Sequence, residues 1–325
     1  MSDALVTQTF LEESTQAAAA IALGAVAEKP TDIEPITRGN RKQTALARFP
    51  NRGPVVIQVA DEPAWLRTEA ALIRAIRKRT FVPVPPVLAA GTHSGVGYML
   101  TAYVAGRDLH AAFSAAERAT QRELARWFGA ALARLHDAFA FDACGRLVVD
   151  SGGFTATQEE WPAWFKSYGT RAIDRLPPVF DDLTDDLRAV VGSLSTNRAA
   201  VHPTPRLFPW DFRPGNALVA GGSVTAVLDW EAPLAAHPAL SVAKSEYLVA
   251  DWYVDDPEPL RMAFREGYRS VRELPTVEPA HRVAAITASA VDSAGQVTNP
   301  GYPPVGRDAA VAFHRGALES VLASV

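Results

Sequence analysis

A hairpin signal between positions 216 and 229 constrains the fold of this chain more than any other feature. Two apolar runs, 217–220 and 223–228, are joined by Gly221 and Gly222, and the favoured two-residue turn needs positive φ at both central positions. In such a hairpin, Asn216 enters the first strand at the end where Asp229 leaves the second. Asp211 lies on the loop that leads to that end. Carboxylates and a carboxamide therefore converge, and hard oxygen ligands of this kind suit Mg²⁺.

Strand-like and helix-like segments divide unevenly along the chain. Short strand-like runs dominate before Gly106, and helical periodicity dominates after it. We therefore predict an α+β fold with a strand-rich N-lobe at 1–104, a hinge near 102–106 and a larger helical C-lobe at 105–325. The predicted strands are 33–37, 44–49, 54–60, 87–91 and 98–104; the predicted helices are 4–28, 64–77, 117–139, 159–175, 181–194, 238–254, 258–271, 279–291 and 308–325, with 216–229 as the only hairpin among the later helices.

Composition excludes several classes of function. A net charge of −4 over 325 residues does not fit a nucleic-acid-binding protein. No apolar run is long enough to span a bilayer. The single cysteine, Cys144, rules out a disulfide framework, so we expect a protein of the reducing cytoplasm.

The segment 207–231 resembles the catalytic segment of the aminoglycoside phosphotransferase and choline kinase-like family, whose design is similar to that of protein kinases. The spacing from Asp211 to Asn216 and the downstream Leu228-Asp229-Trp230 agree with that family. The resemblance implies a bilobal protein-kinase-like fold that binds ATP and Mg²⁺. It also implies that Asp211 is the base for a substrate hydroxyl, and that Asn216 and Asp229 hold the metal.

The N-lobe carries further parts of the resemblance. Positions 65, 69, 72 and 76 fall on one face of the predicted helix, so Glu69 is expected to point inward, where a carboxylate needs a partner. In the family that partner is a lysine on the preceding strand, which also holds the nucleotide phosphates. Gln58 stands at that strand position here. Ala102, Tyr103 and Val104 match the hinge whose backbone receives adenine.

The chain departs from the family pattern at three places. Gln58 replaces the lysine, Pro209-Trp210 replaces the His-Gly before the catalytic Asp, and Ser241 stands where a second Asp normally braces the catalytic loop. Arg41, Lys42 or Arg48 are candidates for the missing positive charge. Arg213 is a candidate catalytic residue that faces the γ-phosphate, and Gly39 is a candidate for a nucleotide-covering loop.

Two groups of residues allow more than one interpretation. Trp161, Trp164, Phe165 and Tyr168 occur at helical spacing and are interpreted first as core, with the substrate cleft as the alternative. The acidic run from Asp251 to Glu258 is interpreted as a solvated helix end, with a cationic substrate as the alternative. His136 is interpreted as a hydrogen-bonded histidine of a packed helix.

These patterns favour an ATP-dependent phosphotransferase that acts on a hydroxyl of a metabolite or antibiotic. The alternative is a catalytically weak or inactive kinase-like protein that serves as a nucleotide sensor or binding partner, which the three departures would explain. A metal-dependent hydrolase would use the same carboxylates but leaves the N-lobe unexplained.

Overall fold

The structure is a computed structural model that describes residues 2–10, 12–37, 41–157, 160–194 and 204–325. The chain forms two compact units. The first unit contains residues 1–106, 147–155 and 225–232, and the second contains 107–146, 156–224 and 233–325. No helix in the described ranges has the length and apolar character needed to cross a membrane.

The first unit is built on a five-stranded antiparallel sheet. Its strands are β1 (Asp32–Ile36), β2 (Gln43–Arg48), β3 (Val55–Ala60), β4 (Val87–His93) and β5 (Val96–Ala102), in the order β1-β2-β3-β5-β4. Because side chains alternate across a strand, the apolar residues of β3 at 55, 57 and 59 all lie on one buried face. Val56, Gln58 and Ala60 belong to the other face.

Two N-terminal helices cover the first face of this sheet. Val6 of α1 (Ser2–Thr9), Ala18 of α2 (Glu13–Leu23) and Phe10 between the two helices belong to the cluster that also contains Ile57. The prediction of one continuous helix over 4–28 was therefore wrong. The break allows Phe10 to turn into the core, and the Gln16 side chain bonds the Phe10 carbonyl at 2.8 Å.

Helix α3 (Pro63–Arg79) follows β3 and begins with a proline in its first turn, a position where a missing N–H is tolerated. It buries Leu66, Glu69 and Leu72. Gly97 of β5 allows its close approach, because a Cβ there would lie 2.7 Å from the Pro63 Cα atom.

From Arg107 onward the chain is mostly helical and contains several very short strands. The helices are α4 (Leu109–Ala115), α5 (Arg118–Ala138), α6 (Trp161–Asp174), α7 (Thr184–Ser193), α8 (Pro238–Glu246), α9 (Glu258–Arg269), α10 (Pro279–Ala290) and α11 (Arg307–Leu322). The strands are β6 (Arg107–Asp108), β7 (Gly145–Asp150), β8 (Gly153–Ala156), β9 (Arg206–Phe208), β10 (Ala217–Ala220), β11 (Ser223–Val227) and β12 (Leu234–Ala236).

The part of the chain from Arg107 onward differs from the sequence-based prediction in its short strands and in the ends of two helices. The prediction of a single hairpin was wrong, because the consecutive strands β7 and β8 are also neighbours in a sheet, which β12 and β9 complete. Strands of two to six residues carry too few alternations to be recognised. The predicted helix at 181–194 begins as a 3-10 turn, Pro178–Leu183, and the one at 238–254 continues as a π-helical turn, Tyr247–Asp251.

Two glycines allow α5 and α9 of the second unit to cross at backbone contact. A Cβ at Gly129 would lie 1.9 Å from the Phe264 carbonyl oxygen, and a Cβ at Gly267 would lie 1.9 Å from the Arg126 carbonyl oxygen. Each glycine therefore makes room for the backbone of the opposite helix. The crossing fixes the position of Phe128, whose ring meets that of Phe212 edge-on at 5.2 Å.

We expect Gly129→Ala to lower the free energy of unfolding by about 3 kcal/mol or more, because the new methyl group must displace backbone. Gly316→Ala in α11 is the matched control, since a Cβ there meets nothing within 4 Å. That change is expected to raise stability by about 0.5–1 kcal/mol through the backbone entropy of the unfolded chain. Urea unfolding of both variants checks the prediction. Equal stabilities would contradict the backbone contact.

Candidate active site

A buried ammonium group lies at the centre of a carboxylate cluster in the first unit. The Lys42 Nζ atom is 3.1 and 3.0 Å from the two Glu69 carboxylate oxygens, 3.2 Å from Asp229 Oδ1 and 3.4 Å from Glu231 Oε2. The side chains of Lys42 and Glu69 are only 11% and 3% exposed. Glu69 is therefore an inward-facing residue whose partner is Lys42.

Lys42 and Gln58 lie on the same face of the sheet. Thr44 pairs directly with Gln58 across β2 and β3, and Lys42 lies two residues before Thr44, so all three side chains project to one side. The family places its lysine on β3, and here the cation comes from the residue immediately before β2. Among the three candidate cations, Arg48 lies at the far end of β2, where it pairs with Asp32 and Glu34.

Burial and charge act in opposite directions on this ion pair. Burial alone would lower the pKa of Lys42, but Glu69, Asp229 and Glu231 outweigh it, and the pKa of Lys42 is raised above its ordinary value. Burial raises the pKa of Glu69, and the Lys42 ammonium opposes that rise. The geometry, with both Glu69 oxygens within hydrogen-bond distance of Nζ, is that of an ionised pair.

Arg41 extends the positive side of this cluster. Its guanidinium lies 3.7 Å from Glu231 Oε1 and 5.4 Å from the centre of the Trp65 ring. Gly39, the candidate for a nucleotide-covering loop, lies outside the described residues.

The backbone aims Asp229 in an unusual direction. Its φ is +62°, in the left-handed region that Asp tolerates better than most residues. The flanking residues hold this turn in place, because the Val227 N–H donates to the Pro83 carbonyl at 2.8 Å and the Trp230 indole donates to the Val227 carbonyl at 2.9 Å. Asp229 is 41% exposed while still bonded to Lys42, so it can face a ligand.

Two of the three backbone N–H groups in the predicted hinge donate hydrogen bonds to other residues of the protein. Ala102 donates to the Pro86 carbonyl at 2.9 Å, and Tyr103 donates to the Pro54 carbonyl at 3.1 Å. The Val104 N–H has no backbone acceptor among the residues that the structure describes. Of the three residues, Val104 is therefore the one that can offer a donor to a ligand.

In the second unit, Asp211 is held by two neighbours on its own loop. The Arg213 Nε atom lies 3.0 Å from the Asp211 carboxylate, and the Asn216 side-chain amide donates to the Asp211 carbonyl at 3.0 Å and to its carboxylate at 3.1 Å. Arg213 also lies over the Trp252 ring at 5.1 Å. Because Asn216 uses its nitrogen toward Asp211, its carbonyl oxygen is the atom that a hard cation would use.

The residue before Asp211 explains how the loop tolerates the loss of His-Gly. Trp210 has φ +54°, a conformation that suits glycine and is strained for a large residue. The buried Lys244 of α8 lies over its ring, with Nζ 4.8 Å from the centroid. Lys244 also donates to the Ala288 carbonyl at 3.1 Å and the Ser289 hydroxyl at 3.0 Å. The two hydrogen bonds hold the Lys244 ammonium group in place, and that group makes a cation–π contact with the Trp210 ring.

Ser241 does not brace the catalytic loop. Its hydroxyl bonds His136 Nε2 at 3.1 Å, and the other ring nitrogen of His136 bonds the Tyr268 hydroxyl at 2.7 Å. This confirms the interpretation of His136 as a satisfied core histidine. Lys244, one helical turn after Ser241, takes the bracing position instead, and burial lowers its pKa to about 8, opposed by nearby Asp211.

Comparison with known families agrees with this geometry. The model of the phosphotransferase enzyme family matches residues 32–280. The chain belongs to that family. A search of curated proteins returned no match.

Solved structures that share this fold include proteins described as aminoglycoside phosphotransferases and as fructosamine-3-kinases. A thermostable variant of aminoglycoside phosphotransferase APH(4)-Ia, in ternary complex with AMP-PNP and hygromycin B, is 15% identical with a TM-score of 0.64, covering 94% of this chain and 98% of that one. A putative fructosamine-3-kinase from Haemophilus somnus 129PT is 13% identical with a TM-score of 0.60, covering 98% and 99%. A putative aminoglycoside phosphotransferase from Ralstonia eutropha is 16% identical with a TM-score of 0.60, covering 90% and 91%. At this identity the likeness shows the protein-kinase-like fold.

Lys244 is the residue of this phosphotransferase-family site that sequence reasoning missed. The available signal was a single lysine within the run 238–250, which is otherwise rich in small and apolar residues. A lysine that is buried in such a helix must find hydrogen-bond acceptors or an aromatic face.

We expect Lys244 to give this protein a distinctive stability profile at alkaline pH. Its pKa is about 8 in the folded chain against an ordinary 10.5, so between these values the unfolded chain binds more protons and stability rises with pH. The free energy of unfolding of wild type minus that of Lys244→Met should therefore increase by roughly 3 kcal/mol from pH 8 to 10.5. Urea unfolding measures it. Lys166→Met, at an exposed position of α6, is the control; a pH-independent difference for Lys244→Met would contradict the prediction.

Proposed function

We propose that this chain is an ATP-dependent, Mg²⁺-requiring phosphotransferase that phosphorylates a hydroxyl group of a small molecule. The observation that carries the proposal is the buried Lys42–Glu69 pair beside Asp229. Gln58 alone would leave the nucleotide phosphates without a cation, which was the main reason to consider an inactive kinase-like protein. Lys42, on the same face of the sheet, supplies that cation. The main reason to consider an inactive protein is therefore removed, and we favour an active phosphotransferase.

Each residue of the proposed site has a distinct role. Lys42, positioned by Glu69, binds the nucleotide phosphates, and Gln58 adds a hydrogen-bonding group on the same face. The backbone of 102–104 receives the adenine, with the Val104 N–H as donor. Phosphoryl transfer depends chiefly on such positioning and on charge neutralisation.

In the second unit, Asp211 accepts the proton of the substrate hydroxyl as the hydroxyl oxygen bonds to the γ-phosphorus, and the bond from that phosphorus to the bridging oxygen of ATP breaks to release ADP. Arg213 orients the Asp211 carboxylate and keeps a positive charge beside it, where it also favours the transferring phosphate. Asn216 and Asp229 would hold Mg²⁺, which when bound neutralises phosphate charge. The Asn216 oxygen and the half-exposed Asp229 carboxylate are donors of the kind that this ion prefers.

A thermal-shift titration with ATP tests nucleotide and metal binding together. A ligand that binds only the folded chain stabilises it, by about 2.7 kcal/mol at a concentration of 100 times its Kd. We expect wild type to show an ATP-dependent rise in Tm that requires Mg²⁺, and Asp229→Ala to lose the Mg²⁺-dependent part. Asp186→Ala, at an exposed position of α7, should behave like wild type. No shift of wild type at saturating ATP and Mg²⁺ would overturn the proposal.

A relocation experiment tests whether Lys42 is the missing family lysine. Lys42→Gln should lose most of the ATP-dependent shift, whereas Arg48→Gln, which removes a positive charge from the far end of β2, should keep it. The double variant Lys42→Gln/Gln58→Lys returns the ammonium to β3 without changing composition. We expect it to recover part of the shift, because both positions lie on one face of the sheet. An unchanged ATP response in Lys42→Gln would exclude Lys42 from nucleotide binding.

A further inference from the structure

A cavity of about 300 Å³ in the second unit lies beside the loop that carries Asp211. Trp210, the residue before Asp211, forms part of its wall, together with Ala288, whose carbonyl accepts from Lys244. Such a volume holds a small organic molecule. The residue that precedes the proposed catalytic base therefore forms part of the cavity wall.

One face of α6 supplies most of the cavity's chemistry. Trp164, Tyr168, Arg171 and Arg175 recur at helical spacing and all line the cavity. Trp164 and Tyr168 are buried and stacked, with ring centroids 5.1 Å apart and planes inclined by 20°. The edge of Tyr168 also meets Trp210 at 5.7 Å. The inner wall is thus aromatic, and it suits a flat apolar group.

The mouth of the cavity is cationic. Arg146, Arg171 and Arg175 line it, and no carboxylate does so among the described residues. Arg171 donates to the Ser167 hydroxyl and Arg175 to the Asp292 carbonyl, so their described partners are neutral groups. Both guanidinium groups act on the Tyr168 hydroxyl, since each opposes the burial that raises the pKa of Tyr168.

Besides the arginines, the Tyr168 hydroxyl is a second observation that points to a bound ligand. It is buried and has no hydrogen-bond partner in the described structure, which costs free energy unless something supplies one. An acceptor oxygen in the cavity would satisfy the hydroxyl and face the arginines at the same time. An anionic oxygen would accept a hydrogen bond from the Tyr168 hydroxyl and would also bind the arginine guanidinium groups.

The other arginine-lined cavity of the second unit differs in this respect. There, Arg261 pairs with Asp251, while Arg265 and Arg282 pair with the buried Glu246. These arginines are already neutralised. The same contacts engage Asp251 and Glu258, the latter with Arg261 and Arg265, so these two residues of the acidic run lie in ion pairs rather than in a site for a cationic substrate.

We propose that the cavity binds a substrate alcohol that carries an anionic group, a carboxylate or phosphate, next to a flat apolar part. The inference rests on the proposed function and names the substrate class of that site. Arg171 and Arg175 bind the anion, the Tyr168 hydroxyl donates to it, and Trp164 and Trp210 contact the flat part. The substrate hydroxyl points toward Asp211.

The test compares probes that differ only in charge. The set is 4-(hydroxymethyl)benzoate, the neutral 4-(hydroxymethyl)benzamide and the cationic 4-(hydroxymethyl)benzylamine, with 4-(hydroxymethyl)phenyl phosphate to distinguish phosphate from carboxylate. Isothermal titration at low salt gives each Kd. We expect one of the anions to bind roughly ten- to hundredfold more tightly than the amide, as for hydrogen bonds to a charged group. Equal Kd values, or tightest binding of the amine, would overturn the proposal.

Variants locate the binding. Arg175→Gln and Arg171→Gln should each weaken anion binding about tenfold or more and leave the amide unaffected, and Tyr168→Phe should weaken it less. Arg122→Gln, at an exposed position of α5, is the matched control and should bind like wild type. An anion preference that persists in Arg171→Gln/Arg175→Gln would place the anion elsewhere and refute this site.

Failure of this inference is distinguishable from failure of the proposed function. The Mg²⁺-dependent ATP shift is measured without any substrate probe. If that shift is present and no anion preference is found, the substrate class alone is wrong. If the anion binds at the arginines but ATP gives no shift, the cavity is a ligand site of a protein that does not use ATP.

Discussion

One buried ion pair, Lys42 with Glu69, determines how the first unit can work. An unpaired carboxylate inside α3 would be expensive, since breaking a buried pair typically costs about 3–5 kcal/mol. Neither partner can be removed alone without that cost, and the pair keeps an ammonium group beside Asp229. Structure and proposed chemistry depend on the same contact.

A second buried amine, that of Lys244, has a comparable structural role in the other unit. The ammonium group of Lys244 lies over the ring of Trp210, whose φ is positive, in the turn before Asp211. A glycine would adopt this conformation without strain. Here a bulky residue occupies the position, and its ring packs against a cation that two further hydrogen bonds hold in place. Asp211 is then kept in register by Arg213 and Asn216.

The sequence was sufficient for the fold class, and a Gly-Gly hairpin and fixed spacings, which are local signals, singled out the segment that carries Asp211, Asn216 and Asp229. It was also sufficient to turn Glu69 inward, since helical periodicity decides the face of α3. It could not choose among Arg41, Lys42 and Arg48, because that choice depends on the register between β2 and β3. Lys244 was missed for the same reason: its partners, Trp210 and Ala288, are distant in sequence. The short strands β6, β9 and β12 are defined by their neighbours, not by their own pattern.

The face of α6 that lines the cavity has a buried aromatic part and an exposed, positively charged part. Its aromatic half, Trp164 and Tyr168, is buried in the core of the second unit, whereas Arg171 and Arg175 are exposed at its end. Substitutions at the two arginines change the charge of the cavity mouth without repacking any buried side chain. In the proposed site, the charge of the preferred ligand can therefore be changed while the packing of α6 stays as it is.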